Sequence, residues 1–210
     1  MNVTEIEQLK KIAKSWVGYK EKRSMDYSTY DSKDYNAGMS NWTRFGRIAD
    51  ICIGNVDRRV KDGYPWCAMF LLSCLYELKA GRIDCTTHAG SIQTNAEALW
   101  FVRKVANDGG QLTYFAGVAA WLESYRRRRL VCKAPADGDF VVYVDDNGKP
   151  YHIGLVYEVK ADGTIVTIEG NTSSGFGDKV VANGGCVAQK NRKKNAKMLF
   201  LQNNFISLRR

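Results

Sequence analysis

Three side-chain types in this chain have the chemistry of acyl transfer: a thiol, an imidazole, and a carboxylate or amide. In GYPWCAMFLLSCL (63–75) Cys67 opens an apolar run that continues through Ala68, Met69, Leu71, Leu72, Leu75 and Leu78 to Gly81. Pro65 suits the first turn of a helix and Gly81 its end, so Cys67 falls in the first helical turn. The free N–H groups and macrodipole there favour a thiolate over a free thiol, whose pKa is about 8.5. Cysteine also packs well in cores, and Cys74, seven residues deeper on the same helix face, suits that inert role. Of the two histidines, His152 begins an apolar, alternating stretch, whereas His88 lies in a polar loop. Glu169 and Asn171, two residues apart on the following stretch, share one face if that stretch is a strand. Imidazole can take the thiol proton and return one to a leaving amine, and a carboxylate or amide can fix its tautomer. The helix-tip N–H groups, that of Cys67 included, can hold an oxyanion.

The elements that must position these groups follow from hydrophobic period. Up to about Arg129 the period is helical. MNVTEIEQLKKIAKSWVG is an amphipathic helix with a Thr4 and Glu7 capping pattern and a stripe of Ile6, Leu9, Ala13, Trp16 and Val17. A polar loop spans 19–41, and helices are expected near 43–51, from Pro65 to Gly81, near 95–106 and over 115–129. After Pro135 the period falls to two. DFVVYVDDNGKPYHIGLVYEVKADGTIVTIEGN reads as three strands joined by turns at Asn147-Gly148 and Asp162-Gly163, with two shorter strands near 186–189 and 198–202. A two-residue loop at Asp162-Gly163 would place His152 opposite Ser173 and diagonal to Asn171. A slip of one residue would turn His152 to the other face. Helices first and antiparallel strands second is the α+β arrangement, with the Cys67 helix packed on one sheet face. Three prolines and no Ser/Gly-rich tract suggest one domain over 1–210, a helical half 1–134 and a sheet half 135–210.

Composition narrows the partners. The chain has 210 residues, 45 % apolar and 25 % charged, and a formal net charge of +9, which favours an anionic polymer. No stretch is long and apolar enough to span a bilayer, and the N-terminal helix lacks the apolar core of a signal peptide, so cytoplasmic synthesis without a leader is expected. Six cysteines at irregular spacings, with no CxxC, read as thiols. Cys85 and His88 form an isolated pair without the second pair a zinc site needs. The basic runs Arg126–Arg129 and Lys190–Lys197 read as solvated element ends before they read as binding patches. Aromatic residues do not interleave with them, so only net charge supports nucleic acid as a partner.

The order WCAMF, GDFVVY, HIGLVYEV, IEGNTS resembles the cysteine, histidine-dependent amidohydrolase/peptidase (CHAP) family, a papain-like group of the NlpC/P60 superfamily that cuts bacterial peptidoglycan. GYKEKRS, NWTRFG, AGVAAWLESYRR and APADGDF extend the likeness to cell-wall amidases of phages and Gram-positive bacteria. The resemblance implies Cys67 as nucleophile, His152 as base, Glu169 as the group that orients it and Asn171 as a fourth polar member. It implies that Tyr64 and Trp66 line the cleft, and that the stretch from Asn41 and Trp42 to Gly46 lines it too. It implies a monomeric endolysin or virion-associated lysin that acts on peptidoglycan as N-acetylmuramoyl-L-alanine amidase or as stem or cross-bridge endopeptidase. The alternatives are a D,L-endopeptidase of the NlpC/P60 kind and a non-catalytic basic module bound to an anionic wall polymer. Some CHAP domains bind calcium through loop oxygens, here Asp31, Asp34 and Asn36 with Gly38. Their spacing does not fit the twelve-residue calcium loop, and no metal or other cofactor is expected.

Overall fold

The computed structural model describes residues 5–54, 63–87, 94–174 and 183–203. Thr4 of the N-terminal capping pattern and His88 lie outside them. Among the described residues five α-helices precede a six-stranded antiparallel sheet, the α+β order read from the periodicity. The helices are α1 (Glu5–Ser15), α2 (Arg44–Cys52), α3 (Cys67–Ala80), α4 (Ala96–Asn107) and α5 (Val118–Arg127). The strands are β1 (Val131–Cys132), β2 (Phe140–Val144), β3 (Pro150–Val159), β4 (Thr164–Thr172), β5 (Cys186–Lys193) and β6 (Met198–Leu201). Their order across the sheet is β1-β6-β2-β3-β4-β5.

Most helices start and stop where their capping chemistry dictates. Thr43 accepts from Gly46 N at the start of α2, and Asn95 accepts from Ala98 N at the start of α4. Gly81, at φ 77°, ends α3. Pro65 does not enter the first turn as expected. Trp66 is the N-cap and Cys67 the first helical residue, so the proline lies just outside the helix. The helix expected from Phe115 begins at Val118 instead, because Gly117 is its N-cap and the preceding Tyr114–Ala116 segment turns, with Gly117 N donating to Tyr114 O at 3.0 Å.

Helix α3 is the hub of the core. It packs on α1, α2 and α4 and lies across β3 and β4. Its residues Ala68, Phe70, Leu72, Cys74 and Leu75 are fully buried, which follows from a run apolar on all sides. The closest approach to the sheet is at Gly170 of β4. A Cβ there would stand 2.5 Å from Phe70 Cβ and 3.1 Å from the Trp66 ring, so the start of α3 rests directly on backbone beside Glu169.

The β3–β4 register departs twice from the expected two-residue turn. Lys160 N donates to Thr164 O, which leaves three residues in the loop, and Gly163 takes φ 81° at its end. A bulge at Tyr157 then slips the pairing again, from Glu158 opposite Val166 to Val156 opposite Thr167. Each slip alone would invert the faces; together they restore them and bring His152 two residues closer to Glu169. The short β1, paired with β6, was not read from the sequence, for two residues carry no periodicity.

Candidate active site

His152 emerges from β3 opposite Tyr143 of β2 and is fully buried. Its Nε2 lies 3.0 Å from Glu169 Oε2. An ionised carboxylate only accepts, so Nε2 carries the proton and Nδ1 is left as the basic nitrogen. Nδ1 is buried and makes no well-formed hydrogen bond among the described residues. The Cys67 thiol is nevertheless close enough to act on the ring. Burial alone would lower the imidazole pKa, but Cys67 and Glu169 outweigh it and raise the value to about 9.

Glu169 is fully buried and saturated with donors. Tyr143 Oη donates to Oε1 at 2.8 Å, Thr167 Oγ1 to Oε1 at 2.6 Å, Arg192 Nε to Oε1 at 3.0 Å and Arg192 Nη2 to Oε2 at 2.7 Å. Burial opposes its charge, yet His152 and Arg192 hold its pKa well below the usual carboxylate range. Room for it comes from Gly154, where a Cβ would stand 2.7 Å from Glu169 Cγ. The basic run Lys190–Lys197 is thus not wholly solvated. The alternation of β5 turns Lys190 and Arg192 inward, and both are buried. Arg192, Tyr143 and Thr167 were missed in the sequence; the available signal was an arginine on the buried phase of a strand facing a buried acid.

Cys67 opens onto a cleft of about 440 Å³ walled by Tyr64, Pro65, Met69, Tyr114, Val118 and Tyr151 among others, with no charged side chain among the described residues of its lining. Tyr64 and Tyr114 are the most exposed of these, at 60 % and 80 %. No side chain caps the start of α3, so its first-turn N–H groups keep their hydrogen-bonding capacity beside the sulfur. All six cysteines are free thiols. Burial pushes the Cys52, Cys74, Cys85, Cys132 and Cys186 thiols up, that of Cys85 to about 12.

Four other expected site residues stand elsewhere. Trp66 is wholly buried rather than in the cleft wall; its indole donates to Glu21 Oε2 at 3.0 Å and stacks on Phe45 at 5.3 Å. The aromatic core of Tyr19, Phe45 and Phe70 claims the side of the N-cap that faces away from the cleft. Asn41 and Trp42 brace the approach to Tyr64, the former accepting from Gly63 N at 3.2 Å and the latter lying 3.5 Å from the Gly63 Cβ position, and neither is among the cleft-lining residues. Asn171, at φ 55°, turns away from His152; its amide donates to Asn183 Oδ1 at 3.2 Å and accepts from Gly185 N. The loop side chains considered for calcium are engaged with groups of the protein. Asp31 binds Arg44 and the Cys85 N–H, Asp34 pairs with Lys20, and Asn36 donates to Ser24 and Thr29. Among the described residues no group of three or more His, Cys, Asp or Glu side chains is arranged to hold a metal. No helix among them is long and apolar enough to cross a membrane.

In a comparison with protein-family models, residues 59–171, just over half of the chain, match the CHAP domain. No curated protein and no solved structure matches significantly.

Proposed function

Because this chain belongs to the CHAP family of cysteine- and histidine-dependent amidohydrolases and peptidases, which act on peptidoglycan, we propose that it cleaves a wall amide through a thioester on Cys67. The observation that carries this reading is the buried His152, tied by Nε2 to Glu169 while Nδ1 is left for the thiol. In the first step the thiol proton passes to Nδ1 and the sulfur attacks the carbonyl carbon. The N–H groups at the start of α3 receive the negative charge that forms on the carbonyl oxygen; loss of one such donor typically costs about 2.7–4 kcal/mol of barrier. His152 then protonates the leaving amine, which departs as the C–N bond breaks. Water, giving its proton to Nδ1, hydrolyses the thioester and frees the acid. Glu169 keeps the ring in the productive tautomer throughout and steadies the imidazolium. Tyr64, Tyr114 and Tyr151 supply flat, uncharged walls for the substrate.

The scissile bond on this reading is the muramoyl–alanine amide or one in the stem or cross-bridge peptide, and the biological setting is lysis by an endolysin or virion-associated lysin. The net charge of +9 suits an anionic wall. Purified protein added to Gram-positive sacculi is expected to lower turbidity and release new amino groups, with Cys67→Ser inert in the same assay. Mass spectra of the fragments identify the bond. Intact sacculi from several wall types, with protein shown to be folded, would overturn the proposal.

A further inference from the structure

The Cys–His–Glu arrangement leaves unaccounted for the buried charge that touches its carboxylate. Arg192 is 2 % exposed and grips both oxygens of Glu169, so Oε2 is shared between the guanidinium and the imidazole. Such a fork fixes a carboxylate in plane as well as in place. Burying a guanidinium is costly, and the pair contributes little net stability compared with an apolar substitute. The charge count gives it a use. When the proton leaves Cys67 for Nδ1, the thiolate and Glu169 are negative, and the imidazolium and Arg192 are positive. With Arg192 these four charges sum to zero; without it, forming the thiolate leaves them net negative in a poorly solvated place, and the nearby buried Lys190 ammonium is directed to Ser173 rather than to the carboxylate.

We propose that Arg192 is a positioning residue of this site, holding Glu169 against His152 and supplying the positive charge that lets the thiolate of Cys67 form. The other groups around the carboxylate do not take over that task. Tyr143 from β2 and Thr167 from β4 are neutral donors. Lys190, two residues before Arg192 on β5, points its ammonium at Ser173 Oγ, 3.4 Å away. Tyr151 neighbours His152 on β3 and is uncharged, and α3 brings only Cys67 itself.

The inference rests on Cys67 and His152 being nucleophile and base, and its test reads thiolate formation directly. Alkylation of Cys67 by iodoacetamide, followed by mass spectrometry from acid to alkaline pH, is compared in the wild type, Arg192→Gln, Arg192→Lys and Lys190→Gln. Arg192→Gln is expected to move the alkylation midpoint upward by about one pH unit, with alkylation about tenfold slower below it. Arg192→Lys keeps the charge but not the fork; it should restore most of the midpoint while kcat/KM on sacculi stays several-fold low. Lys190→Gln should leave the midpoint in place. An unmoved midpoint in folded Arg192→Gln, or an equal shift in Lys190→Gln, overturns the proposal. Should Arg192→Gln fail to fold, wild-type kcat/KM in Arg192→Lys overturns it instead. Shifted alkylation in a protein whose wild type leaves all sacculi intact would uphold the role of Arg192 and strike the hydrolase reading alone.

Discussion

Behind the His152 ring, one buried carboxylate takes hydrogen bonds from a tyrosine, a threonine, an arginine fork and the imidazole; in front of Cys67, the described lining of the cleft is tyrosines, prolines and small or apolar residues without a charge. The charges behind the ring are kept out of water, where, on the proposed mechanism, they act strongly on the sulfur and need no reorganisation when the reaction begins. The described cleft walls are neutral surface, which favours an uncharged substrate segment on the proposed reading. The excess positive charge lies elsewhere, for instance on the exposed Arg126, Arg127 and Arg129. Arg128 differs from these neighbours, donating to the carbonyls of Lys104, Val105 and Ala106 and so tying the end of α5 to that of α4.

The difference predicts that the rear of the site is bound up with stability and the front is not. Glu169→Gln should have the largest effect, because it strands the buried guanidinium; breaking such pairs costs about 3–5 kcal/mol. Urea unfolding measures this directly, and activity should fall with it. A variant as stable as the wild type would show that Arg192 finds another partner and would dissolve the contrast.

The pH dependence of unfolding sharpens the same contrast, since His152 and Glu169 both lie at the rear. The proton affinity of His152 is raised on folding, so its contribution is complete below its ordinary pKa of 6.5 and is lost as pH rises through about 9. That of Glu169 is lowered, so its contribution is complete above its ordinary 4.5 and is lost as pH falls below that range. The two together give most support between these ordinary values. Thermal unfolding of the wild type and His152→Phe, compared across pH, should show the largest gap in that window and a closing gap on its alkaline side. A gap constant with pH would mean that the ring contributes packing alone.

The contrast also explains what could be read from the sequence. A long apolar run with helix signals, and strands with period two, announced α3 and β2 to β4, and the order of Cys67, His152, Glu169 pointed to one site. Local pattern does not report which way a side chain leans once it reaches a junction. Trp66 and Asn171 each sit at the edge of an element, where a N-cap or a left-handed residue redirects the chain, and both turn away from the groups they were expected to join. Nor does it report compensating slips: the longer turn at Gly163 and the bulge at Tyr157 were both invisible, and only their sum preserved the meeting of His152 with Glu169. Arg192 was hidden in a basic run because two exposed positions alternate with two buried ones. Tyr114 was hidden by a helix start placed three residues too early.

Tyr114 provides the finest test of the division between front and rear. It is 80 % exposed, comes from a turn rather than a regular element, and lines the cleft beside residues of α3, α5 and β3. Removing its ring forfeits little buried surface, so Tyr114→Ala should leave stability within about 0.5 kcal/mol of the wild type. Its loss should instead raise KM for sacculi several-fold while kcat and the pH profile of Cys67 alkylation stay put, the pattern of a contact made equally in ground and transition states. A fall in kcat with KM unchanged would mean that the ring helps to shape the transition state, and the front of the cleft would then belong to the chemistry as well as to recognition.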